Sequence, residues 1–465
     1  MKWGRYLRKW LALSVAAQAL ALTSPAAAES SISAADQQRL LDLTTSVLSK
    51  EIDLERFYLK YRIVGTYDPG YRYYRYFALQ DAGTSLTLSA NLLSEREFGT
   101  HLHDPDRISR RTARKALCAG MLGSIFDGAS SAIELASNTR LAIAHRLKNE
   151  NPRWSTQSVL ERLKIIDAQE AERESLIARL PDSPATEIYR AETNVLRTYR
   201  QWCLYEYSTI YADVKSFQSS YNIYYGMNII ANGWYLASFL LGYKLFNRPN
   251  LGGKSAVSAI VGDSLTIADV PAYTYGYKVL YKFWTSRLGR AMKQQFVEPR
   301  SEAKTAFDEF NKRIASARPS DLASCPGADL RRKIYQDWSL GYDDFVEKES
   351  VDVRHEYRVA LQGNLSGPAV GGTYLAQDVM GALSFYSTKK THPSASESLA
   401  FAGSISSLVG TSASLAMTNF FFINEQLHNR KLKKQHIYPD ELIQARFKTL
   451  DSFDAMLSSN GRSTQ

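Results

Sequence analysis

Apolar side chains recur along this chain with two different grains. Leu40, Leu43, Val47, Leu54, Phe57 and Tyr61 fall at spacings near three, four and seven, the stripe of an amphipathic helix with one face turned inward. Tyr67-Asp68-Pro69-Gly70 then predicts a turn. Beyond it the grain changes. From about 76 to 94, and again from about 116 to 136, apolar, small and weakly polar residues dominate, joined by a basic loop with Arg107, Arg110, Arg111, Arg114 and Lys115. These two stretches read as a helical hairpin. Asn151-Pro152 opens a further amphipathic helix that carries Leu160, Leu163, Ile166, Leu176 and Leu180.

The plan returns twice. Ser183 and Pro184 predict the cap and first position of a helix that holds Ile188, Val195, Tyr199 and Trp202 and feeds directly into residues 216–243, 28 positions without a charge. As a helix that stretch would be roughly 42 Å long against a hydrocarbon core of roughly 30 Å, which makes it the strongest spanning candidate. A loop at 244–254 returns the chain through 255–280, and Glu298-Pro299 opens a polar helix. In the third unit a helix with Trp338 leads into 359–387, which contains Gly367-Pro368 and Gly371-Gly372. Lys389-Lys390 forms the loop, 398–424 is again uncharged, and Tyr438-Pro439 opens the last helix.

Residue matches run through these units. Tyr335-Gln336-Asp337-Trp338-Ser339-Leu340 parallels Tyr199-Arg200-Gln201-Trp202-Cys203-Leu204, with Asn364 following where Asn228 does, and Ser258-Ala259-Ile260-Val261-Gly262 parallels Ser406-Ser407-Leu408-Val409-Gly410. The pattern predicts an all-α fold: a three-fold internal repeat of helical hairpins, six transmembrane helices in all, with antiparallel helix pairs outside the membrane. The expected divisions are a signal peptide at 1–28 and repeats at 29–181, 182–324 and 325–465.

The amino terminus gives the address. A basic segment from Lys2 to Lys9 precedes an apolar run and Ser24-Pro25-Ala26-Ala27-Ala28, the form of a secretory signal cut after Ala28. Export to a bacterial envelope follows, with residence in the inner membrane and periplasmic helices, or as a soluble periplasmic protein. A net charge of +10 and a pI near 9.2 raise the question of nucleic acid. Lys and Arg are spread along helices rich in Asp and Glu, without a basic run interleaved with stacking aromatics, so nucleic acid is not expected. An exported basic chain can meet anionic lipid or envelope polymer, but the plainer reading of the charge is solubility. Membrane lipid is expected as a partner from the spanning segments. The three cysteines make no disulfide framework. In the repeat register Cys203 and Cys325 stand roughly 20 Å apart along their helices, beyond disulfide reach.

Tyrosines sharpen the membrane reading. Tyr71, Tyr73, Tyr74 and Tyr76, then Tyr221, Tyr224 and Tyr225, precede first apolar helices, while Tyr273, Tyr275, Tyr277 and Phe420-Phe421-Phe422 lie near the ends of second ones. In a hairpin these ends share one side, so the aromatics predict an interfacial belt outside, with the basic loops inside. Against this stands a mean hydropathy of −0.30, lowered by the polar helices.

Candidate chemistry is sparse. Asp81, Asp127, Glu134, Asp263, Asp269 and Asp378 interrupt the apolar segments, and in hydrocarbon such groups turn to a bundle interior where they bind cations or relay protons. Asp127, Asp263, Asp81 and Asp378 are therefore the candidate path for a small ion or solute. The competing function is a non-enzymatic scaffold whose Trp202 and Trp338 meet an envelope protein. His101-Leu102-His103-Asp104 gathers two imidazoles and a carboxylate, but no other His or Cys pattern completes a site, so neither metal nor cofactor is expected. Gly252-Gly253-Lys254-Ser255 has a phosphate-loop ending, yet Arg248 occupies the upstream glycine position. Neither a nucleophile elbow nor an HExxH motif is present, and no catalytic residue is expected.

Overall fold

The computed structural model describes residues 32–65, 70–101, 107–147, 152–388 and 393–462. The expected signal segment, residues 67–69 of the first turn, Leu102, His103 and Asp104, Asn151, and the Lys389-Lys390 loop lie outside the described residues. Among the described residues the fold is all-helical, without a strand. In chain order the helices are α1 (Ala34–Gly65), α2 (Gly70–Thr100), α3 (Arg110–Leu147), α4 (Pro152–Ile177), α5 (Pro184–Leu245), α6 (Gly252–Met292), α7 (Arg300–Ser316), α8 (Pro319–Ala323), α9 (Ala328–Leu383), α10 (Pro393–Lys434) and α11 (Pro439–Arg462). Ser183 caps α5 as its sequence predicts. Its Oγ accepts from the Thr186 N–H at 3.2 Å, with Pro184 at the first helical position.

Two layers follow from the two grains. The amphipathic helices α1, α4, α7 and α11, with the first halves of α5 and α9, gather around one apolar core that we call the cap. Leu48, Ile52 and Leu54 of α1 meet Leu163 and Ile166 of α4, Ile188 and Tyr199 of α5, Phe310 of α7, Tyr335 of α9 and Phe453 of α11. Nothing between stripe and apolar segment breaks α5, so it runs unbroken for 62 residues, roughly 93 Å, from cap to ring. α9 also runs unbroken, for 56 residues, although Pro368 lies inside it.

The ring is the second layer. α2 packs on α3, α3 on α5, α5 on α6, α6 on α9, α9 on α10, and α10 returns to α2. Six helices thus close a circle in chain order. Their faces are reversed relative to the cap. The buried positions of α3 are Ala116, Gly120, Gly123, Ser124, Ser130, Ser131 and Glu134, while Leu122, Ile125, Phe126 and Ile133 are exposed. α6 buries Ser258, Ala259, Gly262 and Asp263 and exposes Val257, Val279 and Phe283. On α10, Ser407 and Thr411 are buried whereas Ile405, Val409 and Phe420 are exposed.

Two stretches, Arg110–Leu147 and Glu397–Ser459, contain a window long and apolar enough to cross a membrane. Residues 216–243, the strongest spanning candidate on charge alone, are not among them. Their many Tyr, Asn and Ser side chains lower the hydropathy of an uncharged segment, so absence of charge overstated its apolarity.

Candidate functional site

Close helix contacts form the ring's interior. Gly83 of α2 faces α3 so tightly that an added Cβ would strike the Asp127 carboxylate and come within 2.9 Å of the Gly123 carbonyl oxygen. That approach sets Asp127 against α2, half-buried, with Oδ1 lacking a hydrogen-bond partner among the described residues. On the far side Tyr235 of α5 donates to Asp263 Oδ1 of α6 at 2.8 Å. Asp378 of α9 lies against Asp263, carboxyl to carboxyl, and Tyr374 of α9 is close enough to interact with both Asp127 and Asp263. Asp263 and Asp378 are therefore paired beside Tyr235, and Asp127 is linked to them only through Tyr374. Asp81 stands at another joint, where Asn419 of α10 donates to it at 2.9 Å.

Similar polar bridges mark the other joints between hairpins. Asn228 of α5 donates to Ser131 of α3, and Asn364 of α9 donates to Thr274 of α6, each at 3.0 Å. Glu134 is set apart from the path candidates. It is fully buried and paired with Arg72, at 2.9 Å, and with Arg75, both of α2. Asp269 turns its Oδ1 back to the Val270 N–H at 2.5 Å.

Where cap meets ring lies a second cluster that sequence reasoning missed. His355 of α9 and His428 of α10 stack with centroids 3.6 Å apart and planes within 6°. His428 Nε2 is 2.9 Å from Asp352 of α9, and His355 Nε2 is 3.3 Å from Glu425 of α10. Asp352-x-x-His355 and Glu425-x-x-His428 place acid and imidazole one turn apart on facing helices, a spacing visible in the sequence. Glu356 of α9 is exposed to water at this cluster. Crowding by the packed helices, with the like charges of Asp352, Asp213 and Glu425, pushes its carboxyl up against the pull of Arg62. Together with Tyr277, which donates to Asp213, these groups form an acidic cluster at the cap side of the ring.

Within the cap two buried carboxylates act as hubs. Glu192 of α5 takes Arg331 Nε at 2.6 Å, Arg173 at 3.0 Å and the Tyr335 hydroxyl at 3.3 Å. Burial alone would raise its carboxyl, but the guanidinium groups of Arg331 and Arg173 outweigh that and hold it below the usual range. Glu55 of α1 takes Arg446 Nε at 2.6 Å, the Tyr199 hydroxyl at 2.8 Å and Trp338 Nε1 at 2.9 Å. The indoles expected to reach a partner are inside the cap: Trp202 and Trp338 are each 6% exposed and stack edge to face at 5.3 Å. Their apolar area is spent on the core, so a partner could touch them only by opening it. Cys203 and Cys325 are buried, unpaired thiols pointed at the carbonyls of Glu51 and Ala185.

Glu51 yields a stability prediction. It is fully buried and neither carboxylate oxygen has a hydrogen-bond partner among the described residues. Burial, then the like charge of Glu170, raise its carboxyl well above the usual range, with Arg200 opposing. The folded state thus binds a proton that the unfolded state has released, and stability falls as pH climbs from the ordinary glutamate value to the raised one. Glu51→Gln keeps the shape and removes the ionisation. Its melting temperature at pH 8 is expected to exceed that of the parent by a few degrees, with the gap closing toward about pH 4; equal melting at pH 8 would show that the carboxylate is solvated.

Neither a protein-family model, nor a curated protein, nor a solved structure matches this chain, so its functional reading rests on its own geometry.

Proposed function

We propose that the chain is an exported inner-membrane protein whose six ring helices span the bilayer and whose interior conducts a small cation, with the cap outside. The observation that carries this reading is the reversal of faces: small and polar residues inside the ring, Leu, Ile, Val and Phe outside. In water such a circle would hide its serines and expose its isoleucines, whereas in lipid the arrangement is the stable one. Sign selectivity follows from charge. The six apolar segments carry the aspartates named above and Glu134 but only one cation, Lys278 near the end of its segment. With an acidic cluster at the cap side and carboxyl groups in the interior, cations are favoured and anions repelled.

Cap contacts support a three-fold repeat. Glu55 and Glu192 are 137 residues apart, Tyr199 and Tyr335 are 136 apart, and Arg173 and Arg446 are 273 apart, one step of each. Each hub joins a Glu of one unit, a Tyr of the next and an Arg of the one before, a cyclic relation. At the third place the register puts Ala328 and Phe310, both buried apolar residues, where the Glu and Arg would stand. The scaffold alternative loses its two named contacts, since Trp202 and Trp338 belong to the core.

Purified protein reconstituted in vesicles tests conduction. Protons or monovalent cations are expected to pass down an imposed gradient, and Asp263→Asn combined with Asp127→Asn is expected to reduce that flux at least tenfold while the fold, judged by helical signal and melting, persists. Flux indifferent to both substitutions would remove the conduit reading.

A further inference from the structure

We infer that the outer wall of the ring binds one anionic phospholipid, with an acyl chain laid in the groove between α3 and α5 and its phosphate on Arg140. The inference rests on the membrane placement proposed above. The groove, about 520 Å³, is floored by Ala132, Leu135, Ala136 and Ile143 of α3 and Ile229 of α5. Ala132 and Ala136 sit one turn apart on the same exposed face and leave the space between the two helices unfilled. Ile133, Ile143 and Ile230 around it are exposed as well.

Polarity is confined to Thr139 and Arg140 in the cap-side part of the groove, with Ile143 one turn beyond them. Thr139 donates its hydroxyl back to the Leu135 carbonyl at 2.9 Å. Arg140 is then the single charged residue of the lining, exposed and without an ion pair among the described residues. Its level is fixed by the adjacent turn, where Asn138 donates to Asn222 at 2.9 Å beside the Tyr221 and Tyr224 pair. Headgroups would stand at that tyrosine level. A long arginine side chain extends to it from an apolar wall, and a guanidinium pairs a phosphodiester through two parallel hydrogen bonds.

Length fits one leaflet. From Arg140 back to Ala132 the helix runs about 12 Å, within the roughly 15 Å of one leaflet of a hydrocarbon core of about 30 Å. A free phosphate would use Arg140 and leave the apolar floor uncovered. A phospholipid uses both.

Full-length protein extracted from the membrane fraction in a mild non-ionic detergent, equilibrated with equal phosphatidylglycerol and phosphatidylethanolamine and weighed by native mass spectrometry, tests this. One phosphatidylglycerol is expected to stay bound per chain, at least tenfold above phosphatidylethanolamine. Arg140→Gln is expected to abolish the preference, and Ala136→Phe, which fills the groove from an exposed position, to abolish the adduct. Equal retention of the two lipids, or an undiminished adduct in Ala136→Phe, overturns the inference while the membrane placement stands. Recovery of the chain from the soluble fraction removes the placement itself, and the lipid site with it.

Discussion

Glu192→Ala is expected to destabilise the cap by about 3–5 kcal/mol, the range for removing one partner from a buried ion pair. Two guanidinium groups converge on this carboxylate, and both are almost fully buried, with 1% of each side chain accessible. Their other hydrogen bonds do not replace the charge. Arg173 retains Thr44, Thr193 and the Tyr189 carbonyl, and Arg331 retains the Pro326 carbonyl, so each would be hydrogen-bonded but electrically unmatched. Replacing the whole set with Glu192→Leu, Arg173→Met and Arg331→Met is expected to recover most of the loss, because the desolvation of all three charges disappears together. The pH dependence has a definite sign. A carboxyl held low in the folded state stabilises above its unfolded value, and that contribution is lost as pH falls through the depressed one. Denaturant unfolding of the detergent-solubilised protein, followed by tryptophan emission from Trp202 and Trp338, would register the change. A Glu192→Ala loss below about 1 kcal/mol would mean that water reaches these charges.

Val409→Arg is expected to cost about 2.5–3.5 kcal/mol of insertion free energy and to deplete the chain from membranes, whereas Leu340→Arg is expected to be nearly silent. Both residues are more than half exposed, 56% and 60%. In a soluble protein an exposed aliphatic residue can be exchanged for arginine with little effect, usually within about 0.5 kcal/mol. Exposure means something different on the two layers. Val409 lies mid-segment on the outer wall of the ring, where the solvent is proposed to be lipid, and Leu340 lies on the cap, where it is water. Quantifying membrane-fraction abundance of the two variants side by side reads the contrast. Equal tolerance of both would place water around the ring.

Much of the fold was legible because periodicity reports which face is covered. The stripe of α1, the Ser183-Pro184 start of α5 and the hairpin segments follow from neighbours within a few turns. Asn228 and Asn364, matched by spacing alone, both bridge to a hydroxyl on an adjoining hairpin. Asp127, Asp263 and Asp378 stand out in the sequence because a carboxylate in an apolar run has few places to go. Other features were out of reach for a stated reason. Glu55 meets Arg446 across 391 positions and Glu192 meets Arg331 across 139, and single-sequence patterns contain no information on such pairings. Trp202 and Trp338 were ambiguous because an indole on an amphipathic helix suits a core and a contact surface equally, and only packing separates them. The His355 and His428 pair lay in plain view as two acid-x-x-His turns. It was passed over because facing helices cannot be aligned in register without the fold.

The most direct measurement is extraction of membranes holding the full-length chain with alkaline carbonate, followed by assay of pellet and supernatant. Six helices with lipid-facing Leu, Ile, Val and Phe should keep the protein in the pellet through the wash. Release into the supernatant would contradict the account, for the reversed faces of the ring would then need another cover and the aspartates would no longer lie across a membrane.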